Sequence, residues 1–136
     1  MRSLITGATG IVARRLLESL PHPVVLTRNP ERARQTIGSA ADIYPWNPVA
    51  APPPPGAFQG VDVIFHLAGE PIAAGRWTAS RKARIRDSRI LGTRHLVQAL
   101  AGLAERPQVL VAASAVGYYA DRGDENRREC CNKHSH

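Results

Sequence analysis

The chain has 136 residues, 43% of them hydrophobic, enough to bury one core and no more, so a single domain is expected. No apolar run approaches the ~20 residues of a membrane span, no charged leader with a cleavage site precedes the first strand, and the only two cysteines are adjacent; a cytoplasmic chain without a disulfide framework is expected. The net charge of +7 raises nucleic acid as a partner, but seven basic residues against one acid (Asp87) lie between Arg76 and Arg94, and Trp77 is the only aromatic among them, where sequence-independent nucleic-acid surfaces ordinarily interleave aromatics.

Leu4, Ile5 and Thr6 form a short aliphatic and β-branched run that stops at Gly7, and the apolar spacing from Ile11 to Leu20 is helical. Gly7 permits a sharp turn. Gly10 leaves open the space through which a diphosphate reaches the amides of a helix N-terminus, where the helix dipole favours an anion. In the spacing Gly7-x-x-Gly10-x-x-Ala13 the third small residue falls one turn into the helix, where close packing on the first strand needs it. Such a glycine pattern is also an ordinary tight turn, and its position between a strand and a helix is what gives it weight.

Pro21 and Pro23 end this helix, Val24 to Thr27 form the second strand, and Asn29 as cap with Pro30 at the first helical position opens a second helix. Asp42 to Tyr44 is a short third strand. The stretch from Pro45 to Gly60, with Pro52 to Pro55 in a row, is incompatible with helix or central strand and is expected to be an extended surface loop, a spacer over the sheet edge. It lacks the flanking basic residue that would make it a ligand for a proline-binding module. Val61 to Leu67 is almost continuously apolar, as for a strand buried on both faces, and ends at Ala68 and Gly69. Strands alternating with helices predict an α/β fold: a doubly wound parallel sheet of about five strands with helices on both faces. Its crevice lies at the carboxyl ends of the first and fourth strands, so Leu67, Ala68, Gly69 and Glu70 are expected to line it. His66, inside the strand, is read as a packed, hydrogen-bonded histidine rather than a catalytic one.

A long helix is predicted from Thr78 to Glu105. Leu96, Val97, Leu100 and Leu103 are assigned to the face that meets the sheet, and the same face extended backwards carries Lys82, Arg86 and Arg89. These basic side chains either snorkel to solvent or overhang the crevice and meet phosphate. Pro107 restarts the chain, and Val109 to Ala113 is the fifth strand, ending at Ser114.

The segments TGATG, LTRNP, HLAGEPIA, RWT with Lys82, SR with GT, and SAVGYY before DRGDE resemble the extended short-chain dehydrogenase/reductases, most of all the "epimerase family protein" subgroup of the NAD(P)-dependent epimerase/dehydratases. The resemblance runs from Met1 to Glu125 and implies a Rossmann-like nucleotide-binding domain over 1–125. It matches Gly7, Thr9, Gly10, Ile11 and Val12 to the diphosphate loop and Leu67, Ala68 and Gly69 to the segment beside the cofactor ribose. Ser114 matches the serine that binds the reacting hydroxyl or carbonyl in active relatives.

Departures from the family pattern bear on the chemistry. Ala13 replaces the third glycine, a tolerated change. Family members continue into a C-terminal substrate domain, and active relatives place a Tyr-x-x-x-Lys pair well past the serine, the lysine lowering the tyrosine pKa for proton transfer. Here the nearest imitation, Tyr118 with Arg122, falls too early. Residues 126–136 no longer resemble the family and are expected to form a disordered tail. Cys130, Cys131, His134 and His136 lack the spacing of common zinc sites, so no metal site is assigned.

Cofactor preference follows from the end of the second strand. An NAD-preferring site has an acid there for the ribose 2′-hydroxyl, whereas this chain has Thr27, Arg28 and Asn29. A guanidinium suits a 2′-phosphate, which favours NADP over NAD. Three functions are weighed: the NADP-binding portion of an epimerase or oxidoreductase, with an unidentified small-molecule substrate and without complete catalytic machinery; a non-catalytic dinucleotide-binding or sensing module; and, last, a basic protein contacting nucleic acid. Self-association through an open sheet edge is expected.

Overall fold

Residues 1–68, 76 and 78–113 are described by the computed structural model. Five four-residue strands make one wholly parallel sheet: β1 (Ser3–Thr6), β2 (Val24–Thr27), β3 (Asp42–Pro45), β4 (Val63–His66) and β5 (Val109–Ala112), in the order β3-β2-β1-β4-β5. Three helices connect them: α1 (Ile11–Leu17), α2 (Pro30–Ile37) and α3 (Ala79–Ala101). The first crossover leads from β1 to β2 on one side and a later one brings β4 to the other side of β1. The chain therefore reverses direction at β1 and β4, and a crevice opens at their carboxyl ends.

Alternation along the strands divides the core into two layers. Leu4, Val24, Leu26 and Ile64 point to one face and pack with Trp46, Ala57, Phe58, Val61 and Leu96. Ile5 and Val25 point to the other and pack with Ala8 and Ala13, with Leu16, Leu17, Leu20 and Ile37 around them. Ala13 is only 1% exposed, so a larger side chain there would push α1 off the sheet.

The proline-rich stretch departs from the surface loop expected of it. Trp46, Pro53, Ala57 and Phe58 are buried, and Pro55–Phe58 closes a 3₁₀ turn. Prolines exclude an α-helix, yet the crossover from β3 to β4 must still cover the sheet. Two aromatic anchors, Trp46 and Phe58, take over the burial a helix would supply.

Helix boundaries shift for local reasons. α1 stops at Leu17 rather than Leu20, with Glu18 as its C-cap, and Pro21 bars the helix from resuming through Leu20. α2 starts as expected, with the Asn29 side chain accepting from the Arg32 amide at 3.1 Å and Pro30 in its first turn. α3 is capped by Thr78, whose hydroxyl accepts from the Arg81 amide at 3.1 Å, and ends at Gly102 instead of Glu105. Its buried stripe is Ile85, Gly92 and Leu96, with Leu100 and Leu103 packed against the core. Val97 is 49% exposed, and Lys82 and Arg86 are exposed, so these three do not share the inward face assigned to them. The i, i+4, i+7, i+11 row through Ile85, Arg89, Gly92 and Leu96 meets the sheet instead.

Candidate functional site

A cleft of about 360 Å³ occupies the carboxyl ends of the strands. Its floor is the glycine turn after β1, from Gly7 to Gly10. Gly7 has φ +74°, and a Cβ built there would stand 2.8 Å from the Leu67 carbonyl and the Ala68 nitrogen. Only glycine lets the ends of β1 and β4 approach this closely. Gly10 donates to the Gly7 carbonyl at 3.1 Å and is the N-cap of α1, with no side chain to satisfy the first-turn amides. A Cβ on Gly10 would meet only the Gly7 oxygen, at 3.4 Å, so the backbone accommodates a Cβ there, and Gly10 itself lines the cleft.

Leu26 to Asn29 and Arg32 form the corner at the end of β2. Asn29 ties it down, its amide donating to Thr27 Oγ1 at 3.2 Å and its Oδ1 accepting from Arg32. Arg28 and Arg32 make this corner cationic, and no acid is among the described residues lining the cleft. Trp46, Pro48 and Val49 supply the wall after β3. The wall is braced by Trp46 Nε1 donating to the Ala51 carbonyl at 2.8 Å, and by His95 Nδ1 of α3 donating to the Pro48 carbonyl at 2.6 Å.

Leu67 and Ala68 close the cleft on the β4 side. Both amides donate to Thr6 Oγ1, at 3.1 and 3.0 Å, and Thr6 Oγ1 also meets His66 Nδ1 at 2.8 Å. His66 Nε2 lies 3.1 Å from Thr93 Oγ1 of α3. Burial, and after it the Arg89 charge, holds the His66 pKa below its ordinary value. His66 is thus the hydrogen-bonded core histidine expected from the sequence.

Of the residues singled out in the sequence, the structure brings Gly7, Thr9, Gly10, Arg28, Leu67 and Ala68 together around the cleft. Ile11 and Val12 are 89% and 63% exposed and do not line it. Nor does Lys82: the residue α3 contributes is Ser88. Gly69, Glu70, Ser114, Tyr118, Arg122, the tail cysteines and histidines, and the boundary at Glu125 lie outside the described residues. Thr6, Arg32, Trp46, Pro48, Val49 and Ser88 were not singled out. For Thr6 a signal existed, since a hydroxyl at the carboxyl end of a central strand must find partners. For Trp46, Pro48 and Val49 none did, because a proline-rich stretch carries no local mark of which side chains it buries.

A parallel sheet that reverses at β1 and β4, with a glycine turn under a cleft at that point, defines a Rossmann-like α/β protein. The chain belongs to the NAD dependent epimerase/dehydratase family, whose profile matches residues 3–135. It is 39% identical over 122 residues to the Arabidopsis thaliana "Epimerase family protein SDR39U1 homolog, chloroplastic", a match covering 85% of this chain and 34% of that protein. Among solved structures it is similar to human epimerase family protein SDR39U1 (isoform 2) with NADPH, at 25% identity and TM-score 0.66, covering 88% of this chain and 38% of that one. A short-chain dehydrogenase/reductase superfamily protein from Agrobacterium tumefaciens with bound NAD shares the fold at 21% identity and TM-score 0.64, covering 88% and 34%. The chain therefore spans little more than a third of the length of these relatives.

Proposed function

We propose that this chain is the NADP-binding portion of an epimerase- or oxidoreductase-like member of its family. The observation that carries the reading is the corner after β2, where Arg28 and Arg32 line the cleft and no acid is among the described residues that line it. The human relative's complex with NADPH supports it. The Gly7–Gly10 turn holds the diphosphate, whose approach the bare Cα of Gly10 permits, and Arg28 with Arg32 pairs with the 2′-phosphate by charge-assisted bonds. Leu67 and Ala68 lie along the ribose. Ser114 offers one hydrogen bond to a reacting hydroxyl or carbonyl. When bound, the nicotinamide supplies hydride exchange.

Chemistry needs a positioned proton donor and a wall that holds substrate and excludes water. Tyr118 has Arg122 rather than lysine four residues on, so the Tyr-x-x-x-Lys pair of active relatives is not matched there, and the chain as given is expected to bind without turning over. Calorimetry with both cofactors tests the reading. Arg28→Glu should weaken NADPH by more than ~1.5 kcal/mol, the order of a charged hydrogen bond, and spare NADH. Equal weakening of both would make Arg28 a structural residue and remove the preference for NADP.

A further inference from the structure

The Thr6 hydroxyl has two lone pairs and one proton. Two amide donors, Leu67 N–H and Ala68 N–H, point at its oxygen. Its proton therefore goes to the one acceptor among its partners, Nδ1 of His66, at 2.8 Å. An Nδ1 that accepts must be bare, which puts the ring proton on Nε2, where it donates to Thr93 Oγ1. The chain of bonds runs from α3 through the ring and the hydroxyl to the two amides that border the cleft.

We infer that His66 is a positioning residue whose neutral Nε2–H tautomer, acting through the Thr6 hydroxyl, holds the Leu67–Ala68 backbone in its binding shape, so that ligand affinity at the cleft falls in acid. This deepens the dinucleotide reading and rests on it. Protonation of Nδ1 would place a third donor against a hydroxyl oxygen whose two lone pairs are already taken by the Leu67 and Ala68 amides. The hydroxyl would then turn away and release the Ala68 amide, while Leu67 N–H keeps the Thr6 carbonyl at 3.3 Å, beside the turn where even a Cβ on Gly7 would stand 2.8 Å from the Leu67 carbonyl. Among the described residues, the groups facing the ring are Thr6 from β1, Thr93 and Arg89 from α3, Trp46 from the crossover (ring centroids 6.4 Å apart) and, behind it, the Ala113 amide on the His66 carbonyl. Arg89 is the only charge in that set. It opposes protonation, as burial does, which sets the transition on the acid side of an ordinary histidine.

The probe is NADP⁺, titrated by calorimetry between pH 5 and pH 8 against wild type, His66→Asn, Thr6→Ser and Thr6→Val, with circular dichroism to verify folding. An asparagine carbonyl can accept the Thr6 proton without titrating. Wild-type affinity should drop about tenfold on acidification, the order of one lost hydrogen bond, beyond any change seen in His66→Asn. Because the ligand's own phosphate titrates equally in both proteins, the difference between them isolates the histidine. Thr6→Ser should behave as wild type, and Thr6→Val should bind weakly at every pH. Nitrogen NMR of the free wild type near neutral pH should show His66 protonated on Nε2, and exchange of the Ala68 amide should accelerate in acid. A proton on Nδ1, or parallel pH profiles for wild type and His66→Asn, overturns the relay. Absence of NADP⁺ binding at any pH sinks the cofactor reading instead, and the tautomer and amide exchange then decide the relay alone.

Discussion

At the residue scale the two glycines of the first turn are not equivalent. Gly7 is required by the fold, since an alanine there would combine a left-handed backbone, about 1–2 kcal/mol, with a Cβ pressed against the Leu67–Ala68 backbone. Gly10 lines the cleft, and it is the proposed diphosphate that needs it bare. Gly10→Val should therefore leave the urea midpoint close to wild type while abolishing the NADPH fluorescence response, whereas Gly7→Ala should lower the midpoint outright. Equal NADPH affinity of wild type and Gly10→Val would count against the diphosphate assignment. His66 adds a pH term to stability: its folded pKa lies below its unfolded value, so the unfolded state binds the proton more readily. The contribution is complete above about pH 6.5 and is lost as pH falls towards the lower folded value. The acid-induced drop in urea midpoint should shrink in His66→Asn. Both glycines were legible in the sequence because a turn between strand and helix constrains them locally. The partnership of Thr6 with His66 was not, since it joins residues 60 apart through the register of β1 and β4.

At the element scale the crossover from β3 to β4 carries most of what the sequence did not disclose. Prolines report correctly that no helix or central strand forms, but they say nothing about burial, and Trp46 and Phe58 at 5% and 3% exposure decide that. Phe58→Ala should destabilise the protein by about 3–5 kcal/mol, the range for emptying a core aromatic site, where a surface spacer would give almost nothing. Chemical denaturation followed by circular dichroism distinguishes the two. Asn29→Ala should cost about 1 kcal/mol through loss of the cap on α2. α3 was legible as a helix but not in its orientation: Leu96 and Val97 are neighbours in sequence and 100° apart around the axis, so one is fully buried and the other half-exposed. The inward side includes Gly92, where a Cβ would lie 3.1 Å from Pro48 of the crossover, and no local pattern records that contact.

For the whole molecule, the two edges of the sheet differ in a way that bears on assembly. β3 ends in Pro45 and carries Asp42, which pairs with both Arg2 and His22, so that edge holds the proline and charge that discourage further strands. β5, the other edge among the described residues, reads Val-Leu-Val-Ala without a charge or proline. Val109, Leu110 and Val111 are 48%, 41% and 44% exposed, so among the described residues nothing covers either of its faces fully, while the central strands are almost fully buried. Apolar surface beside unpaired backbone groups favours pairing with a second copy. The chain as given is therefore expected to self-associate through β5, with mass rising with concentration in size exclusion coupled to light scattering. Leu110→Lys should shift the population to monomer by placing a charge on that face. Because β5 does not line the cleft, NADPH affinity should be unchanged in this variant. A wild type that stays monomeric across the accessible concentrations, eluting with Leu110→Lys, would show that this edge does not recruit a second copy.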